Sequence, residues 1–461
     1  MFKKYGIIVF TLISLALVTC NPEKKKEPVV ESNEIQVAEV MLVDSVVADF
    51  PVGFQFLFQE GRHYASYYNK SRELTVASRK VTEDKWQYKI LPTKVGWDSH
   101  NRITMTMDGD NCLHVSGNMH NDSLIYFKTE RPHDVSSFER VFPQVALEDE
   151  LSSTYPGFIK NSEGALIFSY RKGGSGNGIT ISNIYDEESK TFSRLTDAPL
   201  FDGLNQMSAY ARGPSLGPDK MFHIIWYWRD TPGCETNHDL SYARSKDLIN
   251  WETLDGTKME LPITPESSQF TADPVPAKSG AINGGATHFF NSDNKPLIAH
   301  MKYDEAGMSQ IYLAHDVNGK WVSDQVSDWD YRWNFSGPGS MTFKIRLGRC
   351  NVNEEDKIVI PYTHVKYGNG ELIADNSSFT LIEDRRVDKS KESDYPADLM
   401  VPTSGIDSVS VRWLQARGSK ANNGEYYALR WETMGKRRFY KPRAIPVKPS
   451  ALTLYKFSKK K

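Results

Sequence analysis

The sequence lacks several features that mark large functional classes of proteins. Its 461 residues carry a formal net charge of −2, so no cationic excess is available to displace counterions from a nucleic-acid backbone, and nucleic acid is not expected as a partner. It has no P-loop, no dinucleotide-binding fingerprint and no HExxH or GxSxG motif, which excludes the common nucleotide, zinc-protease and serine-hydrolase sites. No pair of acidic residues is placed by the sequence at glycosidase separation.

Long apolar runs are also missing after the first twenty residues, which predict a targeting segment. Two lysines precede an apolar run over Tyr5–Val18 that is short for a membrane span. The LVTC segment ending at Cys20 resembles the lipobox of bacterial lipoproteins, which implies a lipidated Cys20. Ordinary signal cleavage is the alternative. Residues 21–39 read as a polar tether, so we expect an exported protein, periplasmic or lipid-anchored to the outer membrane or cell surface, with membrane contact through this anchor alone.

Cysteine is scarce, and its number is informative. Without Cys20 the exported chain keeps an odd number of cysteines, which cannot all pair with one another: Cys112, Cys234 and Cys350. Thiolate and imidazole together form a typical zinc-ligand set. We therefore predict a structural Zn²⁺ bound by His223, Cys234 and His238, with His288 as the candidate fourth ligand. The alternative is a buried thiol beside unrelated histidines.

The clearest positive signal is a recurring short apolar strand that follows a Gly or Asp turn. Five copies begin roughly 50 to 75 residues apart, a period typical of propeller blades: 111–117, 164–171, 220–228, 295–301 and 357–362. The apolar segments 37–47 and 451–457 are suited to pair with each other, which would close a ring and leave no exposed sheet edge. Residues 40–461 are therefore predicted to form one all-β propeller domain.

Candidate catalytic and binding residues lie near the ends of these strands. His100 and His120 flank a predicted three-stranded meander, where they either face a cleft as a pair of bases or cap surface turns. Arg212 precedes a Gly-Pro turn and shares a strand face with Tyr210, which suits a bidentate grip on a carboxylate; the alternative is an arginine that braces two blades. Strand exits on one face of a ring converge on a funnel, and these exits carry Tyr170, Arg171, Tyr227 and Arg229.

Several segments together resemble the BNR-repeat propeller family that contains the ulvan lyases of polysaccharide lyase families 24 and 25. They are HVSGNMHND, SYRKGGSGNG, YARGPSLGPD with HIIWYWRDT, and the stretch from Cys234 to His238. The resemblance implies a seven-bladed β-propeller of four-stranded antiparallel blades. It also implies β-elimination in ulvan, an anionic sulfated polysaccharide, between sulfated rhamnose and a uronic acid.

The same resemblance implies roles for individual residues. His100 and His120 match the active-site histidine pair, Tyr170 the catalytic tyrosine and Arg212 the arginine that neutralises the uronate carboxylate. Tyr210 or Tyr227 could instead supply the tyrosine, and the assignment of base and acid stays open. The zinc site would be structural, and no organic cofactor is implied. The alternatives are a sialidase-like propeller glycoside hydrolase and a non-catalytic glycan-binding propeller.

Overall fold

The structure, a computed structural model, describes Met1 and residues 35–388, 395–418, 424–436 and 441–459. Cys20 and most of the predicted tether lie outside the described residues. Within them, no helix is both long and apolar enough to cross a membrane.

The described strands form seven antiparallel sheets, which are the blades of a β-propeller. Blade 7 contains the first and the last described strands, starting with β1 (Ile35–Val46). Blade 1 consists of β2 (Gln55–Gln59), β3 (Arg62–Tyr68), β4 (Glu73–Lys80) and β5 (Gln87–Lys94). Blade 2 consists of β6 (Thr104–Met107), β7 (Leu113–Ser116), β9 (Tyr126–Thr129) and β10 (Phe138–Arg140), while β8 (His120–Asp122) crosses to blade 3.

Blades 3 and 4 carry extra short strands. Blade 3 has β8 with β11 (Ser153–Lys160), β12 (Leu166–Lys172), β13 (Ile179–Asp186), β14 (Thr191–Arg194) and β15 (Phe201–Asp202). Blade 4 has β16 (Ser208–Leu216), β17 (Phe222–Arg229), β18 (Asn237–Ser245), β19 (Trp251–Glu252), β20 (Lys258–Met259) and β21 (Thr271–Asp273). The helical segments among the described residues are short: α1 (Leu147–Glu150) and 3₁₀ turns at Val135–Ser137, Cys234–Thr236, Ser268–Phe270 and Ala397–Met400.

The remaining blades complete the fold. Blade 5 has β22 (Ala286–Phe290), β23 (Pro296–Tyr303), β24 (Ser309–Val317) and β25 (Lys320–Gln325). Blade 6 has β26 (Ile345–Leu347), β27 (Asn351–Val352), β28 (Lys357–His364), β29 (Gly368–Asp375) and β30 (Leu381–Arg386). Blade 7 adds β31 (Val409–Gln415), β32 (Tyr426–Met434) and β33 (Ser450–Lys459) to β1. The predicted seven-bladed, four-stranded architecture is therefore confirmed, with additional short strands in blades 3, 4 and 6.

The first and last strands of the chain pair within blade 7, as their apolar composition predicts. β1 runs antiparallel to β33, with Val40 opposite Tyr455 and Leu42 opposite Thr453. The strand begins at Ile35, so it starts inside the segment predicted to be a tether. The reason is that backbone hydrogen bonding to β33 holds these residues whatever the polarity of their outward side chains.

The core lies between adjacent blades, because each sheet is covered on both faces by its neighbours. All eight residues of β17 are buried, which explains why this strand is predominantly apolar and shows no alternation of apolar and polar residues. Between blades 3 and 4, Ile167 of β12 and Trp226 of β17 pack in one cluster with Phe201. Each large apolar side chain buried in this way contributes roughly 1.5–3 kcal/mol. This packing fixes the strands whose ends carry the candidate site.

One rim of the propeller gathers the candidate residues. In antiparallel pairs the start of one strand lies beside the end of the next, and here Thr154 of β11 is opposite Arg171 of β12, while Ser208 of β16 is opposite Arg229 of β17. His100 lies in the loop just before β6. Strand starts and strand ends of blades 2 to 4 therefore meet at the same edge.

Candidate active site

Asp98 joins the two predicted histidines. Its Oδ1 accepts hydrogen bonds from the His100 backbone N–H at 2.8 Å and from His100 Nδ1 at 2.7 Å, and its Oδ2 accepts a short hydrogen bond from His120 Nδ1. The imidazole centroids are 4.7 Å apart. Burial alone would raise the pKa of Asp98, but the hydrogen bonds from both histidines outweigh it, and the net pKa lies well below its usual range. An ionised carboxylate therefore sits between two imidazoles.

Tyr155 lies beside both imidazoles at the start of β11. Its ring centroid is 5.9 Å from that of His120 and 6.2 Å from that of His100. Its φ of 58° is in the left-handed region, a conformation that costs a non-glycine residue about 1 kcal/mol or more and that recurs at functional sites. Burial raises the pKa of Tyr155 to about 12, and nearby arginines oppose the rise. At neutral pH this hydroxyl is a proton donor.

Arg171 is a buried cation that faces Tyr155. Its side chain is 6% exposed, and its guanidinium carbon is 4.9 Å from the Tyr155 ring centroid and 5.6 Å from that of Tyr210. Its Nε and Nη1 have no hydrogen-bond partner among the described residues. A Cβ at residue 178 would lie 2.6 Å from the Arg171 Cδ, so Gly178 leaves the space that this side chain occupies. A buried, unpaired guanidinium is costly unless an anion binds to it.

Two further arginines surround the tyrosines. Arg229 stands 4.7 Å from the Tyr210 ring centroid and donates Nε–H bonds to the carbonyl oxygens of Thr231 at 3.1 Å and Gly233 at 3.3 Å. The Arg102 guanidinium carbon is 5.7 Å from the Tyr155 ring centroid. In the described part of the chain, none of these three arginines forms an ion pair with a carboxylate. The site therefore carries uncompensated positive charge.

A cavity of about 570 Å³ opens at this cluster, between blades 3 and 4. Its lining includes no aspartate or glutamate. The arginines, tyrosines and histidine that line it are His100, Arg102, Tyr155, Tyr170, Arg171, Tyr210 and Arg212. Arg212 also donates an Nη1–H bond to the Ala286 carbonyl oxygen at 2.9 Å, so it links β16 to β22 as well as facing the cavity. His120 joins the group through Asp98 and Tyr155.

The structure does not bring the side chains of Tyr170 and Tyr227 to the histidines. Consecutive strand residues point to opposite faces, so Tyr170 faces away from Arg171 and packs 1% exposed against Phe168, with ring centroids 5.9 Å apart. Tyr227 is 2% exposed and packs with Leu240 in the cluster between blades 4 and 5. Tyr155 takes the position beside the imidazoles that the sequence interpretation gave to Tyr170.

The four predicted zinc ligands do not meet at one point. His238 of β18 is directly opposite Trp228 of β17, and Trp228 is five residues along β17 from His223. At roughly 3.3 Å per residue, the two histidines are therefore about 16 Å apart along the strand. His223 Nε2 donates to Asp219 Oδ1 at 2.9 Å, and its Nδ1 hydrogen-bonds with Tyr242 Oη at 2.7 Å. Cys234 packs in an apolar cluster with Leu297. These residues do not fit a shared metal ion.

Asp98, His100 and His120 are, in the described ranges, the one group of three potential metal-binding side chains whose donor atoms lie within 4.8 Å. Their chemistry favours hydrogen bonding instead. Both Nδ1 atoms donate to the carboxylate, so these two nitrogens have no electron pair for a metal ion, and only the Nε2 atoms of the rings could bind one.

Sequence reasoning missed Asp98, Tyr155 and Arg102. Asp98 has a local signal, since a carboxylate two residues before His100 can accept that residue's backbone N–H in an Asx turn. Tyr155 stands before Pro-Gly inside a strand, where a register shift separates Thr154 from Gly157, and such a break in a strand often redirects a side chain.

The sequence and the fold are both similar to those of known proteins. The sequence profile described as "BNR repeat-containing family member" matches residues 62–329, more than half of the chain. A search of curated proteins finds no match. The structure of the polysaccharide lyase Uly1 has a TM-score of 0.58 at 12% identity, covering 92% of this chain and 99% of that one. A PL25 ulvan lyase bound to -[GlcA(1-4)Rha3S]- gives 0.52 at 14% identity, covering 89% and 94%. At these identities the likeness shows a shared fold.

Proposed function

Because the chain belongs to the BNR repeat-containing family, we propose that it is a polysaccharide lyase that cleaves an anionic, uronate-containing polysaccharide by β-elimination. The observation that carries the proposal is Arg171, a buried guanidinium with unpartnered N–H groups beside a tyrosine and two imidazoles. A uronate carboxylate has the charge and the planar, bidentate geometry to satisfy it.

The chemistry of β-elimination accounts for the positive charge in the site. The proton at C5 of a uronate is difficult to remove, because the neighbouring carboxylate is anionic and charge accumulates on it in the transition state. Arg171, with Arg102 and Arg229 around it, places cations where that charge develops. Fixed charges in a largely buried site stabilise such a state without reorganisation.

Base and acid can be assigned from protonation. An imidazole of His100 or His120 takes the C5 proton, and the C5–H electron pair forms the C4=C5 double bond. The C4–O bond then breaks with its electrons on oxygen, and that oxygen takes the hydroxyl proton of Tyr155. Because burial raises the pKa of Tyr155 to about 12, it enters the reaction protonated and suits the acid role. Neither a metal nor an organic cofactor is needed for these steps.

Within this class we propose ulvan as the substrate, cleaved between sulfated rhamnose and glucuronate or iduronate. The proposal is supported by the fold shared with a PL25 ulvan lyase bound to -[GlcA(1-4)Rha3S]- and by the cationic cavity. We further propose that the protein is exported and anchored through Cys20, which would place the site outside the cytoplasm with access to a polymer.

An ultraviolet assay tests both levels of the proposal. The purified protein is incubated with ulvan, pectin, alginate and glycosaminoglycans, and absorbance of the unsaturated uronate is followed. We expect the absorbance to rise with ulvan and not in the Arg171→Gln variant. If absorbance rises only with another uronate polymer, that polymer and not ulvan is the substrate. If it rises with none of them, the proposed lyase activity is refuted.

A sialidase-like glycoside hydrolase is the second candidate, favoured by the three arginines around Tyr155 and Tyr210. It would also need acidic catalytic groups, and the cavity lining contains none. Mass spectrometry separates the two reactions, because hydrolysis adds one water to the products and elimination adds none.

A further inference from the structure

We propose that Asp98 is a positioning residue that fixes the tautomer of both active-site imidazoles at once. This inference rests on the proposed lyase function for its kinetic part and on the hydrogen-bond geometry alone for its structural part. Asp98 contacts no reacting atom in the proposed mechanism; it acts through His100 and His120.

The geometry assigns one carboxylate oxygen to each ring. Oδ1 lies 2.7 Å from His100 Nδ1, and Oδ2 makes the short contact with His120 Nδ1. The backbone N–H of His100 also donates to Oδ1 at 2.8 Å, which orients the carboxylate. One side chain thus sets the distance and tilt between the imidazoles, whose planes meet at 38°.

The protonation of the rings follows from that arrangement. An ionised carboxylate has electron pairs and no hydrogen, so both Nδ1 atoms must carry the proton in these two bonds. The tautomers are assigned here from the hydrogen-bond network. In each neutral ring Nε2 is then the basic nitrogen. Both histidines are held as proton acceptors at Nε2, and the proton donated to the leaving oxygen must come from another group, which supports Tyr155 as the acid.

Asp98 also compensates charge during the reaction. When one imidazole takes the C5 proton it becomes a cation directly bonded to the Asp98 carboxylate, so the product of proton transfer is stabilised by a charge-assisted hydrogen bond. A single carboxylate serves whichever ring is protonated.

The decisive variant is Asp98→Asn. Its amide offers one oxygen acceptor and one N–H donor, so one ring keeps its Nδ1 proton while the other must accept at Nδ1 and carry its proton on Nε2. We expect kcat on the polymer substrate to fall by about 10²- to 10⁴-fold, as for loss of the correct histidine tautomer elsewhere, while KM changes less than threefold. Asp324→Asn is the matched control, since Asp324 Oδ2 bonds His315 Nε2 at 2.7 Å on the outer strand β25; it should keep wild-type kcat.

Nitrogen NMR of ¹⁵N-histidine-labelled protein provides the readout that a purely structural role would not move. In the wild type, signals assigned with His100→Gln and His120→Gln should both report the Nδ1–H tautomer, and in Asp98→Asn one of them should switch to Nε2–H. The proposal is overturned if either ring in the wild type is Nε2–H, or if Asp98→Asn retains kcat within twofold. The wild-type spectrum stands even if Asp98→Asn does not fold. It also separates the two hypotheses, because correct tautomers in a protein that cleaves no uronate polymer would refute only the proposed function.

Discussion

Tyr155 and Arg171 face each other across the first two strands of blade 3, with the guanidinium carbon 4.9 Å from the ring centroid. The register of β11 and β12 produces this pairing, since Thr154 is directly opposite Arg171 and the break after Thr154 turns the next side chain toward the rim. A proton donor and an anion-binding group are thereby held at one point between two blades.

Removal of the Tyr155 hydroxyl tests the acid. Tyr155→Phe should lower kcat about 10²- to 10⁴-fold, because the leaving oxygen loses its proton donor, while affinity for the polymer stays close to that of the wild type. Tyr170→Phe is the comparison, since its ring packs on the other face of β12, and it should retain activity within a few fold. Initial rates from ultraviolet absorbance measure both variants. The reverse pattern would return the acid role to Tyr170.

The contrast between these tyrosines shows what the sequence can and cannot predict. The recurring apolar strand predicts the second strand of five blades, β7, β12, β17, β23 and β28, because a strand covered on both faces is predominantly apolar. The apolar residues of segments 37–47 and 451–457 likewise predict that β1 and β33 pair. Which of these two tyrosines lies beside the imidazoles depends on strand register and on a single irregular residue, and no periodic pattern contains that information.

Neutralisation of Arg171 tests the anion site. Arg171→Gln should lower kcat/KM by about 10²- to 10³-fold, because the charge that develops on the uronate loses its cation. Arg171→Lys should recover only part of the activity, since an ammonium group lacks the bidentate fork.

Thermal unfolding supplies the control for Arg171. Because the guanidinium is buried without an ion pair, its neutralisation should leave Tm unchanged or raise it. Arg385→Gln, which removes a surface pair with Glu371, should change neither rate nor Tm. A large drop in Tm for Arg171→Gln, with activity lost in proportion, would indicate that this arginine stabilises the blades instead of binding substrate.

Two histidines contribute to the acid sensitivity of the fold. Burial, helped by nearby cations, lowers the pKa of His288 and of His364 to about 4 from an ordinary value of 6.5. The unfolded chain therefore binds more protons than the folded one between these values, and stability falls as pH drops from 6.5 toward 4. The free energy of unfolding, measured with urea at several pH values in this range, should change less steeply with pH in His364→Gln than in the wild type. An unchanged dependence on pH would contradict the assignment.

Metal removal tests the separation of the predicted zinc ligands. The sequence places His223, Cys234 and His238 within sixteen residues, but a hairpin sends the two histidines to different positions along β17 and β18, and proximity in sequence does not reveal that distance. A chelator should therefore leave Tm and the elimination rate unchanged, and elemental analysis should find less than stoichiometric zinc. Cys234→Ser should still lower Tm, because it puts a hydroxyl into an apolar cluster with Leu297 and Trp333. Stoichiometric zinc, lost together with stability on chelation, would show instead that these ligands bind a metal ion after rearrangement.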